Sequence, residues 1–483
     1  MMLAALALAA AIVQTQAGAL RGETLADGRS LFRGIPFAAP PTGALRWKPP
    51  LPALSWRGVR DAGTSGPACI QVDYGWNHAA AAHQSEDCLY LEVATPALKP
   101  AKPLPVMVWI HGGGNRGGGG AGTIQSDLGR HVVLVSIQYR IGALGFLSHP
   151  ALTAESPEHA SGNYGLMDQQ AALRWVQANI ARFGGDPGNV TIFGESAGAQ
   201  DVGLQLLSPL ARGLFHKAIE QSGTAGFGVP PRTLSENEAL GRQITVAAGA
   251  PSGADADALR RLPPEALVKA AEEADVPDLA DDSFIWLQAV VDGHVLPATP
   301  AEMLRRGEGA RVPLIVGTNA KEFTAFGGTG AAPTTIAWAW PGKAAAARAF
   351  YGTYPAEDPR RGDLGLQIAT DFIFACPAGV VAKAHARAGN PTWQYEFDFA
   401  EDGRPVAHGS DIRFVMDDPA RHAGGPPLQS YWINFARGGD PNGAGLPRWS
   451  RYAPARTYLH FGQDGTAEAA GLREPVCRLR SLP

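Results

Sequence analysis

The stretch that most constrains the fold of this chain is residues 190–199, V-T-I-F-G-E-S-A-G-A. Its β-branched and aromatic start, residues 190–193, is typical of a short buried strand. The G-x-S-x-G pattern that follows, centred on Ser196, is typical of a sharp strand-to-helix turn with a strained serine backbone. We expect both flanking glycines to be required, because a Cβ there would collide with the neighbouring strand or helix. Five residues with three fixed are a weak signal alone, so the interpretation depends on partners elsewhere in the chain.

Strand-like and helix-like segments alternate along most of the remaining sequence. Two short strands within residues 12–20 and 31–35 flank a turn at the N-terminus, and the later strands are expected at 89–93, 105–110, 132–139, 190–193, 312–317 and 393–399. Apolar residues at helical spacing predict a helix within residues 163–183, ended by two glycines. Residues 224–310 are helical in pattern, whereas 326–361 are aromatic-rich and predicted to be irregular. The alternation predicts an α/β protein: a large, mostly parallel central sheet with helices on both faces and a small N-terminal antiparallel sheet.

Size and charge narrow the class of protein. The chain has 483 residues, of which 45% are hydrophobic and 18% charged, as in globular proteins. Its net charge of −4 indicates neither a nucleic-acid footprint nor a basic membrane surface. No domain boundary is evident, so residues 12–483 are predicted to form a single domain. No later segment is expected to span a membrane.

The first residues, 1–11, resemble a secretory signal sequence. They are apolar with small residues near the end, although no Lys or Arg precedes the apolar run. The alternative is an apolar first strand. An even number of cysteines, four, agrees with an oxidising compartment, and sequence alone permits three pairings. The sequence therefore predicts a secreted or periplasmic protein.

Three chemically distinct side chains follow separate predicted strands: Ser196, Glu322 and His408. Ligands bind at the carboxyl edge of open parallel sheets, so these side chains are expected to converge there. The order Ser, Glu, His is the one expected when a G-x-S-x-G turn carries a catalytic triad. A serine hydroxyl needs a base, an imidazole titrates near neutrality, and a carboxylate fixes the imidazole tautomer. The alternative for Glu322 and His408 is that both are ordinary loop residues.

Glycines follow another predicted strand directly, in H-G-G-G at residues 111–114. Such a loop lets backbone N–H groups approach an oxyanion, together with the N–H of Ala197. A competing interpretation uses Gly112, Gly114 and Gly117 as a dinucleotide-binding fingerprint. The acidic residue expected about 20 positions further on is missing, which argues against it.

At this point the sequence resembles the type-B carboxylesterases, relatives of the cholinesterases within the α/β-hydrolase fold. The resemblance runs from about residue 17 to 477. It is carried by F-R-G-I-P-F-A-A-P-P-T-G-A-L-R-W, S-E-D-C-L-Y-L, N-Y-G-L-M-D-Q-Q, F-G-E-S-A-G-A, V-P-L-I-V-G-T-N-A-K-E and A-H-G-S-D-I-R-F-V-M.

The resemblance implies roles for individual residues. It makes Ser196 the nucleophile, Glu322 the triad acid and His408 the base. The remaining implied roles are oxyanion donors from Gly113, Gly114 and Ala197, disulfides Cys69–Cys88 and Cys376–Cys477, an Arg46–Glu86 ion pair, and support of the triad by Glu195 and Ser222.

Some positions depart from the family pattern. The residue after H-G-G-G is usually aromatic and here is Asn115, and the residue after the triad acid is usually Gly and here is Phe323. The position of the choline-binding tryptophan holds His78, with Trp76 nearby but out of register. A cholinesterase specificity is therefore doubtful.

The sequence thus predicts a serine hydrolase that cleaves small-molecule carboxylic esters through an acyl-enzyme, without a cofactor or metal, and without nucleic-acid partners. The alternatives are a non-catalytic binding or adhesion member of the fold, and a hydrolase preferring amides, carbamates or thioesters. Specificity is expected to reside in residues 224–308 and 326–361, where Phe227 and Phe326 are candidate lining residues. The oligomeric state is not determined by the sequence.

Overall fold

The computed structural model describes residues 11–226, 231–274, 289–353 and 357–480. Its strands are β1 Ala11–Gln14, β2 Ala19–Thr24, β3 Ser30–Pro36, β4 Val59–Asp61, β5 Tyr90–Thr95, β6 Leu104–Ile110, β7 Val133–Ile137, β8 Gly185–Glu195, β9 Lys217–Gln221, β10 Leu314–Asn319, β11 Glu357–Asp358, β12 Gly362–Asp363, β13 Thr392–Asp398, β14 Thr457–Gly462 and β15 Gly465–Ala470. Its helices are α1 His78–Ala81, α2 Gly142–Phe146, α3 Pro150–Glu155, α4 Tyr164–Asn179, α5 Ala197–Leu207, α6 Leu234–Ala247, α7 Ala256–Arg260, α8 Pro264–Glu272, α9 Pro300–Arg306, α10 Ala332–Ala339, α11 Ala344–Gly352, α12 Leu364–Ala369, α13 Cys376–Arg387, α14 Ile412–Met416, α15 Leu428–Gly438 and α16 Glu474–Cys477.

One large sheet organises the described part of the chain. Its strand order is β1-β2-β3-β5-β7-β6-β8-β9-β10-β13-β14-β15, with β4 beside β2. In this order, the strands from β7 through β14 run parallel to one another. The N-terminal strands pair antiparallel and join this sheet where β2 meets β3. The predicted fold class, a mostly parallel α/β sheet with an antiparallel N-terminal part, is confirmed.

The sheet is buried on both faces, as near-continuous apolar strands require. In β6, Val106, Val108 and Ile110 pack into the core on one face, and Met107 and Trp109 into the core on the other. The strand β8 lies between β6 and β9, with Ile192 opposite Val108 and Ala218. Ser196 therefore follows the carboxyl end of a central strand, at the edge where open α/β sheets bind ligands.

The predicted helix within residues 163–183 is confirmed. It forms α4 and then a 3-10 turn, Ile180–Phe183, and ends at Gly184 with φ 81°. The prediction of irregular structure for residues 326–361 is wrong, because this segment contains α10 and α11. Their alanines favour helix, and the aromatic residues between them pack into a local core instead of interrupting it. The C-terminal hairpin of β14 and β15 was not expected from the sequence either.

Contrary to the expectation from the sequence, one later segment passes the length and composition test for a membrane span. Helical residues Leu364–Arg387 are long and apolar enough by length and composition alone, with a mean hydropathy of 1.6. Within the structure, however, 78% of that segment's most apolar window is buried. It includes a π-helical stretch, Thr370–Ala375, whose apolar residues pack in one buried cluster with Ala197 and Phe326. Such burial is typical of a core helix.

Covalent and ionic links pin the loops around the sheet. The structure contains the disulfides Cys69–Cys88 and Cys376–Cys477, which are the pairings implied by the family resemblance. Arg46 donates two hydrogen bonds to Glu86, at 2.6 and 2.5 Å. The N-terminal residues 1–10 and the candidate pocket residue Phe227 lie outside the described residues.

Candidate active site

The turn between β8 and α5 holds Ser196 in a strained backbone conformation, φ 58° and ψ −126°, which non-glycine residues rarely adopt. Both flanking glycines are needed for close packing. A Cβ on Gly198 would collide with the carbonyl oxygen of Ile110 on β6, and a Cβ on Gly194 would collide with the backbone of Gly198. The turn therefore needs both glycines, as the sequence predicts.

Two other segments, the end of β9 and the loop after β6, contact the serine. Its N–H donates to the carbonyl of Gln221 at the end of β9, at 2.9 Å. A Cβ on Gly112 would lie 3.0 Å from both the Ser196 Cβ and the Glu195 Oε2, so the loop after β6 passes directly over the serine. Ser196 itself is only 9% exposed.

His408 and Glu322, 86 residues apart in sequence, are hydrogen-bonded. The distance from His408 Nδ1 to Glu322 Oε2 is 2.6 Å, and the His408 N–H donates to the Glu322 carbonyl at 3.2 Å. The Glu322 side chain is fully buried. Because Nδ1 faces a carboxylate, the arrangement leaves Nε2 as the nitrogen free to exchange a proton.

The Glu195 carboxylate, next to the serine, occupies the other side of the imidazole. Its Oε1 lies 3.2 Å from His408 Nε2. Neither atom has a hydrogen-bond partner within the described residues, so the structure does not contain a serine–imidazole hydrogen bond. His408 nevertheless contacts Glu195, the residue that directly precedes Ser196.

These two groups titrate unusually. Burial works against the charged imidazole, but the Glu195 and Glu322 carboxylates outweigh it and raise the pKa of His408 to about 9. Burial raises the pKa of Glu195 to about 7, opposed by His408 and reinforced by Asp411 and Glu322. Two coupled acid–base groups next to a strained serine are typical of a catalytic site.

A hydrogen-bonded network lies behind the imidazole and its carboxylate. Asn319, the last residue of β10, donates its N–H to Glu322 at 2.8 Å and its side-chain amide to Ser222 Oγ at 3.0 Å. Ser222 therefore reaches Glu322 through Asn319. Asp411 accepts from Gln221 at 3.0 Å and from Tyr395 at 2.7 Å.

The sequence did not single out Asn319, Asp411 or Tyr395. Asp411 lies three residues after His408, and Asn319 three residues before Glu322, within stretches already noted for their family resemblance. That proximity to a candidate site residue was the available signal. Tyr395 carried no such signal, because it lies within β13, 16 residues before Asp411, and meets it only in the folded chain.

The glycine loop after β6 presents main-chain donors beside the serine. Gly113 and Gly114 have φ 101° and 65°, and their N–H groups have no acceptor within the described residues. Ala197 is the first residue of α5, where an N–H lacks an intrahelical acceptor.

No helix begins at the glycines after β6: the chain turns, and a short 3-10 segment starts only at Thr123. The dinucleotide-binding interpretation required a helix there and is wrong.

Aromatic side chains surround the imidazole. Phe323 meets the His408 ring edge-on at 4.9 Å, and Phe374 lies 5.2 Å from the same ring. The predicted lining residue Phe326 packs against Trp338 and Phe372, at 5.4 and 5.7 Å, in the same local core. The departure at residue 323 therefore adds an apolar wall to the base.

The loop closed by Cys69–Cys88 also reaches the glycine loop. A Cβ on Gly113 would lie 2.9 Å from the ring of Trp76, which is 63% exposed and stacked on Tyr74. His78 is exposed and pairs with Asp73. Thus Trp76, and not His78, lies beside the candidate site.

Within the described residues no group of three or more His, Cys, Asp and Glu side chains could hold a metal ion.

Known proteins share this sequence over nearly its whole length. A sequence model of the carboxylesterase family matches residues 9–337 and 343–479. Liver carboxylesterase 1 of Oryctolagus cuniculus is 37% identical, covering 93% of this chain and 88% of that protein. Liver carboxylesterase of Sus scrofa is 37% identical, covering 94% and 90%. Fumonisin B1 esterase of Sphingopyxis macrogoltabida is 36% identical, covering 95% and 88%. The chain therefore belongs to the carboxylesterase family and is a carboxylic ester hydrolase with the α/β-hydrolase fold.

Proposed function

We propose that this hydrolase cleaves its ester through an acyl-enzyme formed on Ser196, with His408 as base and Glu322 as the carboxylate that orients it. The observation that supports this most is the 2.6 Å contact between His408 Nδ1 and Glu322 Oε2 beside the strained serine. Because Nδ1 is bonded to Glu322, Nε2 is the ring nitrogen that would take up the Ser196 proton.

In the proposed reaction, His408 Nε2 removes the Ser196 hydroxyl proton while Oγ attacks the ester carbonyl carbon. His408 then gives the proton to the leaving alkoxide, and the C–O bond to the alcohol breaks. Water, deprotonated by the same imidazole, then attacks the acyl carbon of the acyl-enzyme. The acyl C–O bond to Ser196 breaks, His408 returns the proton to the Ser196 oxygen, and the carboxylic acid is released. The Glu322 carboxylate stabilises the imidazolium at each stage.

The oxyanion formed in both attacks is proposed to accept hydrogen bonds from Gly113, Gly114 and Ala197. Two observations support this: the N–H groups of Gly113 and Gly114 have no acceptor in the part of the chain that the structure describes, and Ala197 lies at the start of α5. Losing one such donor typically costs ~2.7–4 kcal/mol of transition-state stabilisation. The proposed substrates are small-molecule carboxylic esters, the class that the names of the curated relatives indicate.

The test compares wild type with Ser196→Ala on p-nitrophenyl esters of increasing acyl length. We expect the variant to lose at least ~10³-fold in kcat and all labelling by a fluorophosphonate. The matched control is Ser208→Ala, which removes a buried serine hydroxyl at the far end of α5. Equal turnover by wild type and Ser196→Ala would reject the nucleophile. Amide, carbamate and thioester substrates in the same panel, compared by kcat/KM, test the alternative acyl preferences.

We also propose that the chain is exported and that residues 1–11 are its signal sequence, leaving one catalytic domain. The two disulfides are compatible with an oxidising compartment. Ala11 is buried and pairs with Gly22, so removal of residues 1–11 would also remove the first residue of β1. N-terminal sequencing of the protein recovered from the producing cells would locate the mature start. A start at Met1 would contradict the proposal.

A further inference from the structure

The residue that ends the glycine loop, Asn115, is held unusually firmly. It is 1% exposed and has φ 55°, a left-handed conformation that Asn tolerates better than most residues. Its carbonyl accepts from the Gly142 N–H at 2.6 Å. Its side-chain amide donates to Asp201 Oδ1 at 2.9 Å. Both the backbone and the side chain of Asn115 are therefore fixed by groups outside the loop.

Asp201 lies on α5, five residues after Ser196, and is fully buried. Within the described residues it has no ion-pair partner. Its oxygens instead accept from two amides, Asn115 on one and Gln169 of α4 on the other, at 2.9 and 2.6 Å. Burial raises the pKa of Asp201 to about 7, and the two amide hydrogen bonds oppose that rise. Burying a carboxylate whose partners among the described residues are two neutral amides costs stability.

The opposite end of the glycine loop is tied as well. The Tyr139 hydroxyl donates to the carbonyl of His111 at 2.6 Å, and its oxygen lies 3.2 Å from Asn115 Oδ1. The Tyr139 and His111 rings stack at 4.4 Å. The two residues that bracket Gly112, Gly113 and Gly114 thus share one buried network, and Asp201 connects that network to the helix that starts beside the serine.

We propose that Asn115 and Asp201 form a clamp that sets the distance between the glycine loop and α5, and so positions the oxyanion donors. The inference rests on the proposed function, which draws Gly113 and Gly114 from the loop and Ala197 from α5. Donors on two separate segments stabilise an oxyanion only if the segments keep their relative placement to within about 0.5 Å. Asn115 and Asp201 are positioning residues, since they act through these donors.

A merely structural role for the pair predicts a different result from a positioning role. Loss of a structural hydrogen bond lowers stability and leaves the reaction of the folded protein unchanged. Loss of oxyanion-hole geometry lowers kcat without raising KM, because the interaction is made mainly in the transition state. It also weakens a tetrahedral-adduct inhibitor, such as a trifluoromethyl ketone, by a comparable factor.

The main variant is Asn115→Asp, which keeps the size and the tolerance of a positive φ but places a carboxyl against Asp201. We expect kcat to fall ~10–100-fold, with KM within ~2-fold and the inhibitor weakened in parallel. A second variant, Asn115→Gly, removes the side chain without backbone strain and is expected to fall similarly. It also covers the case in which the first variant fails to fold.

The double variant Asn115→Asp/Asp201→Asn exchanges the partners. Asn at position 201 could donate to the new carboxylate and still accept from Gln169, so the swap restores the hydrogen bonds and is expected to recover most of the lost kcat. The matched control is Asn179→Asp, a buried amide at the far end of α4 that bonds to Trp175 and Gln16. We expect it to lose stability but keep kcat.

Folded Asn115→Asp and Asn115→Gly proteins with kcat and inhibitor affinity within ~2-fold of wild type would overturn the clamp, and so would a swap that recovers nothing. These failures are separable from failure of the proposed function. If Ser196→Ala retains wild-type turnover, the proposed function fails. If Ser196→Ala is inactive while the Asn115 variants react normally, only the clamp fails.

Discussion

At the scale of single residues, the 3.2 Å approach of Glu195 to His408 Nε2 controls when the base is available. A general base must be neutral, and the two carboxylates raise the pKa of His408 to about 9 against the effect of burial. The neutral fraction, and with it kcat/KM, should therefore increase as pH rises through neutrality towards this value. Glu195→Gln removes one of the two carboxylates, so the midpoint of the rise should move to lower pH.

The measurement is kcat/KM from pH 5 to 10 on one p-nitrophenyl ester. Glu220→Gln is the control: Glu220 is buried on β9, burial holds its pKa well above the usual range, and it is not among the charges that raise the pKa of His408. We expect no shift of its profile. If the midpoint for Glu195→Gln stays in place or moves to higher pH, Glu195 does not raise the pKa of His408 and the assignment is contradicted.

Residue identity could be predicted where chemistry and spacing act together. The sequence predicted Ser196, Glu322 and His408, and the structure brings Glu322 against His408 and His408 against the neighbour of Ser196. Their catalytic roles stay predictions until tested. The contacts of Asn115 and Phe323 could not be anticipated, because they depend on α5 and on the π-helical stretch 370–375 and not on nearby sequence.

At the scale of elements, the crossing of α5 over β6 depends on a missing side chain. A Cβ on Gly198 would collide with the Ile110 carbonyl, which is backbone and cannot rotate away. We expect Gly198→Ala to lower the free energy of unfolding by about 1–3 kcal/mol or more, through overpacking, and to displace Ser196. Gly352→Ala lies at the end of α11, where an added Cβ would meet no atom of the described residues within 4 Å, so it should be neutral or stabilise by up to about 1 kcal/mol.

Urea unfolding of both variants measures the difference, and equal stability of Gly198→Ala and wild type would contradict the crowding argument.

Some elements could be predicted from the sequence and others could not. Buried strands such as β6 are apolar runs whose bounds the sequence marks closely: β6 spans residues 104–110, and the prediction was 105–110. The helices α10 and α11 were missed because their apolar faces complete a local aromatic core, which only the folded chain reveals.

At the scale of the whole molecule, the two disulfides close loops of very different length. Cys69–Cys88 spans 19 residues and encloses the segment carrying Trp76, whereas Cys376–Cys477 spans 101 and ties α16 to α13. The second bond also lies next to the stretch carrying Phe374, which contacts His408. Each link therefore connects a peripheral segment to one that reaches the candidate site.

Chain-entropy estimates assign ~3 kcal/mol to closing a loop of about 15 residues and ~4.7 kcal/mol to one of about 100. Paired Cys→Ser replacement at 376 and 477 should therefore lower the free energy of unfolding more than replacement at 69 and 88. Urea unfolding of both variants and of the fully reduced parent measures this, the reduced parent falling below both. Equal losses, or a larger loss at Cys69–Cys88, would mean that native packing of the short loop, and not restriction of the unfolded chain, determines what these bonds contribute.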